Sequence, residues 1–144
     1  MSDKKKTPEE LGLQRNKYLD ALGIPIEQYG VNFCDNTDER YKDWEAQRKE
    51  LGFDSRDCWN YDCIFFEQLY SHFKLYLEEA GKVIDLNYYK FDYKGKQITQ
   101  KKAIKIIIKA CEDYLKKDFL DRYENMPDAD IFKLLHDILP HMWW

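Results

Sequence analysis

The sequence has few chain breakers, only six glycines and four prolines in 144 residues. It also has no sustained alternation of Val, Ile and Thr, which excludes a sheet-dominated sandwich or barrel. No apolar run approaches the roughly 20 residues of a membrane span. The opening Met1-Ser2-Asp3-Lys4-Lys5-Lys6 is not followed by a secretory hydrophobic stretch. The expectation is a soluble, cytoplasmic protein that makes no use of a membrane. Cys34, Cys58, Cys63 and Cys111 form neither a CxxC pair nor a dense framework, so they read as reduced thiols. His72, His136 and His141 are too scattered for HExxH or Cys2His2 spacing, and Asp35-Asn36-Thr37-Asp38-Glu39 lacks the glycine of a calcium loop because Arg40 stands in its place. There is no Gly-rich phosphate loop, no GxSxG elbow and no adjacent Cys/His nucleophile pair. These absences predict no metal, no cofactor and no enzymatic activity.

What is present is bulk and charge. Eleven Tyr, eight Phe and four Trp accompany 35% charged residues and a net charge of −4, so the chain has enough large apolar surface to fold. The patterning predicts a mainly α fold. In it, a compact bundle of about five helices surrounds one long central helix, as a single domain over residues 7–144 behind a disordered tail, 1–6. Thr7-Pro8-Glu9-Glu10 starts a helix over Pro8 to Leu22, stopped by Gly23 and Pro25. A second helix covers Thr37 to Leu51 and ends at Gly52. A third, capped by Asp54 or Ser55, runs to Gly81 and is the central one. Residues 88–98 break the helical period and read either as a small hairpin turning at Lys94-Gly95 or as an extended crossover. Thr99 caps a fourth helix through Phe119. After Met126-Pro127, Asp128 or Asp130 starts a fifth that stops before Pro140.

The run Gly52-Phe53-Asp54-Ser55-Arg56-Asp57-Cys58-Trp59-Asn60-Tyr61-Asp62 resembles a motif at the head of a long helix in small uncharacterised proteins of bacteriophages and prophages. Those proteins are similar also in placing a second amphipathic helix after a Thr about forty residues on, as Thr99 does here. The resemblance implies a mobile-element origin and expression in the cytoplasm of a bacterial host. Together with the missing catalytic groups, it leads to the expectation of a non-enzymatic binding protein that occludes a host macromolecule, an anti-CRISPR-like inhibitor of a defence nuclease being the most concrete version. A nucleic-acid-binding accessory protein is the second reading and an enzyme built around a buried Asp the third.

Three constellations stand out. With Asp62 set at zero on a helical wheel, Phe66, Leu69, Phe73, Tyr76 and Leu77 fall within about 60° of it. Asp62 is therefore expected in the core as a structural acceptor, with Arg15, Arg48 or Arg56 as its partner. Ile64 and Leu75 project to the opposite side, a face expected either to be covered by the second or the N-terminal helix of the same chain or to self-associate as a homodimer. Residues 90–109 hold seven bases and one acid. In that block Lys102, Lys105 and Lys109 share one helix face, Ile106 lies beside them, and Tyr93, Lys94 and Lys96 precede them. This strip reads either as a solvated helix face or as the contact for a host or phage protein, or for nucleic acid, although it contains no Arg for planar phosphate recognition. Trp143 and Trp144 are expected to dock on the protein's own core or on a partner.

Overall fold

The computed structural model describes residues 5–117, 119–122 and 124–144. The expected tail lies mostly outside them, with Lys5 and Lys6 exposed. The fold is mainly helical with one two-stranded antiparallel sheet. It comprises two compact units, Met1–Glu67 and Gln68–Trp144.

In the first unit the Pro8–Leu22 helix does not form. Thr7 Oγ1 does accept from the Glu10 amide at 3.1 Å, but the turn it caps ends at Gly12, whose φ is +73°. Asn16, extended at φ −138°, then caps a separate short helix α1 (Lys17–Ala21) by accepting from the Tyr18 and Leu19 amides. The Asn side chain competes with the helical backbone and wins a fresh start. After two 3-10 turns comes α2 (Tyr41–Leu51), which starts later than Thr37 because Asp35 and Asp38 side chains tie up the intervening amides of Thr37 and Arg40. It closes on Gly52 at φ +84°, as expected. α3 (Arg56–Trp59) and α4 (Tyr61–Ala80) replace one continuous helix, since Asn60 sits at φ −122°, ψ 64° between them. Glu67, on α4, accepts from the Gly30 amide through both carboxylate oxygens at 2.9 and 3.1 Å. A side chain at position 30 would meet Ile64 Cδ1 at 2.6 Å, so any larger residue there would displace the Ile64 side chain.

The second unit continues α4 and adds β1 (Lys90–Tyr93) and β2 (Lys96–Thr99), paired with Phe91 opposite Ile98. The turn is the expected Lys94-Gly95, at φ +53° and +81°, the left-handed pair that matches strand twist. Thr99 caps α5 (Gln100–Leu115) by accepting from the Lys102 amide. That helix stops four residues short of Phe119, with the Lys116 amide folding back onto Glu112 and Tyr114 carbonyls. A short α6 (Phe119–Arg122) follows. Asp128 then caps α7 (Ala129–Ile138) by accepting from the Ile131 amide. Ile104, Ile107 and Ile108 of α5 and Leu134 and Ile138 of α7 are buried in this unit, together with Phe91 and Ile98 of the hairpin.

Two sequence expectations on α4 are corrected. Asp62 is only half-buried, while the buried acids are Asp54, Asp57 and Glu67. Ile64, expected on the outer face, is 2% exposed. The reason is a rotation of the buried face along α4. Cys63, Ile64, Phe66, Glu67, Tyr70 and Ser71 are buried and centre about 120° from Asp62, whereas Phe73, Tyr76 and Ala80 lie within about 40° of it. A single averaged stripe placed Asp62 inside and Ile64 outside. Leu75 is exposed, as expected.

Candidate interaction site

The capped start of α5 fixes its phase. Ala103, Ile104, Ile107, Ile108 and Cys111 are sealed, which leaves Lys102, Lys105 and Lys109 exposed with Ile106 and Ala110 half-buried beside them. Strand alternation puts Tyr93 on the same side of β1 as buried Phe91, two residues along at the hairpin tip. Ile131 arrives from the first turn of α7. These side chains, with Asp113, line one shallow open depression of about 460 Å³. Tyr93, Lys102, Lys105, Ile106 and Lys109 of the expected strip are thus brought together.

The charges are unequal. Lys109 Nζ lies 2.8 Å from Asp113 Oδ1, and that hydrogen bond raises the lysine pKa. Lys102 and Lys105 have no carboxylate within ion-pair distance among the described residues. Lys94 does not join the depression. Its Nζ turns to Asp128 Oδ2 at 3.4 Å, which raises its pKa. Lys96 is exposed opposite Tyr93 in the strand register, outside the lining. What the arrangement offers a ligand is Lys102 and Lys105, without an ion-pair partner among the described residues, and Asp113-paired Lys109, beside the apolar Ile106, Ala110 and Ile131.

The two C-terminal indoles are held by main chain rather than by burial. Tyr76 Oη donates to the Trp143 carbonyl at 3.1 Å, and Gln100 Nε2 donates to that of His141 at 3.1 Å. The Trp144 ring meets Tyr76 edge-on at 5.3 Å. Even so, Trp143 and Trp144 are 60% and 58% exposed. Neither lines the depression.

Sequence reasoning missed a second cluster, in the first unit. Asp54, 1% exposed, accepts from Arg56 Nε and Nη2 and from Arg48 Nε at 2.7 to 3.1 Å. Arg56 and Arg48, expected as partners of Asp62, are committed here, and Arg15 pairs with Glu9 and Asp20. Burial alone pushes the Asp54 carboxyl up. The Arg56 hydrogen bonds and both guanidinium charges outweigh it, so the pKa is lowered. The Arg56 and Arg40 guanidiniums stand 4.5 and 5.1 Å from the Trp44 ring, in cation–π range. The Asp-x-Arg spacing was visible in the motif, but nothing in the sequence showed that both residues are buried.

Among the described residues no group of three or more His, Cys, Asp or Glu is placed to hold a metal ion, and no helix is long and apolar enough to cross a membrane. No protein-family model, curated protein or solved structure matches the chain.

Proposed function

We propose that this protein binds an acidic surface of a partner protein through the α5 depression and acts by occupying that surface, with no chemistry of its own. The observation that carries the reading is the placement of Lys102 and Lys105, unpaired among the described residues, beside half-buried Ile106, with Tyr93 and Ile131 completing the wall. Exposed cations steer an acidic partner and fix its register, and the apolar floor supplies area to bury. The phage resemblance of Gly52 to Asp62 makes a host protein the partner and masking of a host defence nuclease the most concrete outcome. Asp113 within the depression and the lack of arginine favour a protein over a nucleic acid. The same occlusion operates whether the protein is monomeric or a dimer formed through the Leu75 face.

The test compares the tagged protein with a Lys102→Glu/Lys105→Glu/Lys109→Glu variant as bait in bacterial lysate, with and without nuclease treatment. A protein retained by the wild type, lost with the variant and indifferent to nuclease is the expected result. Equal retention by both baits rejects the depression as the contact. Loss on nuclease treatment replaces the protein partner by nucleic acid.

A further inference from the structure

The spacing of the cations says more than their sign. Lys102, Lys105 and Lys109 stand at i, i+3 and i+7 on α5, and Ile106 and Ala110 flank them on one side. At the helical rise, the first and last lysines are about 10.5 Å apart along the axis, with the middle one about 4.5 Å from the first. A second helix lying along α5 repeats this spacing on one face with carboxylates at i, i+3 and i+7. An extended strand presents same-face side chains about every 6.6–6.8 Å and matches these intervals less closely than a helix does. Asp113 closes the far end of the depression and pairs with Lys109 at 2.8 Å, so the positive field is strongest over Lys102 and Lys105. The partial positive charge at the N-terminus of α5 reinforces that end.

We infer that the α5 depression is a helix-docking groove whose occupant is an amphipathic acidic helix of a partner protein. That helix lays one apolar side chain on Ile106, Ala110 and Ile131. Its glutamates or aspartates face Lys102 and Lys105, and a neutral or basic side chain lies over Asp113. The inference rests on the proposed reading of the depression as a protein-binding surface and adds the shape and direction of what it takes. Complementarity of charge on both sides of an apolar contact sets the direction, because the reversed helix brings its acids onto Asp113.

The test uses two synthetic capped peptides of about 15 residues with identical composition. In the first, Glu occupies i, i+3 and i+7 around a Leu at i+4, with Lys at i+11. In the second, the same residues are permuted so that the acids are spread around the helix. Binding to the full chain is followed by amide chemical-shift changes and by titration. The expected result is that the first peptide shifts the amides of Tyr93, Lys102, Lys105, Ile106 and Lys109, becomes helical when bound, and binds at least about tenfold tighter than the permuted one. Lys105→Glu and Ile106→Ser should each lower that affinity about tenfold, with thermal melts confirming that both variants fold. Equal binding of the two peptides, or no shift with either at about 1 mM, overturns the helical occupant. So does stronger binding of a duplex oligonucleotide at the same amides. None of these outcomes touches the bait comparison above, whose failure alone would reject the depression as a protein contact.

Discussion

Arg56 donates to both oxygens of Asp54, two residues before it in the chain, through Nε at 3.1 Å and Nη2 at 2.9 Å, and the two residues are 4% and 1% exposed. The pair also closes a local loop, since the Arg56 amide donates to Asp54 Oδ1 and the Asp54 amide to Asp57 Oδ2. Arg56 Nη1 reaches the Cys34 carbonyl at 2.9 Å. A buried fork whose opposite charges are paired and whose three guanidinium nitrogens each donate is tolerable. The same fork with one arm removed is not.

Asp54→Leu is therefore expected to destabilise the protein by about 3–5 kcal/mol, because Arg56 keeps its charge in a sealed site. The double variant Asp54→Leu/Arg56→Met should recover much of that loss. Urea denaturation of the four members of this cycle measures it, and strict additivity of the single losses would show that the two side chains do not act as a pair.

The lowered pKa of Asp54 gives the cluster a definite acid sensitivity. A carboxylate with a depressed folded-state pKa contributes stability that is present above its unfolded value, about 3.9, and is lost as pH falls through the lower folded value. Asp54→Asn cannot titrate. The difference in denaturation midpoint between wild type and Asp54→Asn should hold constant from about pH 7 to pH 5 and shrink below about pH 4. A gap that keeps its size into the acid range argues against a salt-bridged carboxylate at this position.

Thiol reactivity should separate the cysteines sharply. Cys58 is exposed, whereas Cys63 and Cys111 are buried and burial pushes the Cys111 thiol up to about 12. Brief alkylation of the native protein at about pH 8 should label Cys58 and spare Cys111, since only about one in ten thousand Cys111 side chains would be thiolate. Peptide mass spectrometry locates the label, and all four thiols should react in denaturant.

The hairpin tip offers a backbone test. Gly95 at φ +81° tolerates no β-branched residue, so Gly95→Val should cost about 1–2 kcal/mol. Lys94→Asn should be close to neutral. Asn suits the left-handed region, and the exposed contact with Asp128 that it removes contributes at most about 1 kcal/mol. Thermal melts of the two variants should differ accordingly.

Several structural decisions that rest on a few neighbouring residues were legible in the chain. Thr99, Asp128 and Gly52 mark helix ends by the hydrogen bonds and left-handed turn they make with residues three or four away. Lys94-Gly95 marks the hairpin for the same reason. The lysine face of α5 was legible too, because a strongly periodic helix exposes whatever its apolar side does not claim. Other local decisions were missed because local signals compete. Asn16 and Asn60 each end a helical pattern that the apolar spacing would have continued, by a side-chain cap in one case and a backbone break in the other.

Only the tertiary structure decided which faces are covered. α4 turns one side inward in its first half and a different side in its second, so Ile64 is buried and Asp62 is not. Arg56 found Asp54 rather than Asp62, and Lys94 found Asp128, 34 residues away. The position of Tyr93 and Ile131 beside the α5 lysines is of the same kind. Periodicity in a sequence specifies a side chain's angle around its own helix. What that angle meets depends on the packing of other segments, because burial and pairing energies belong to contacts between segments and not to either segment alone.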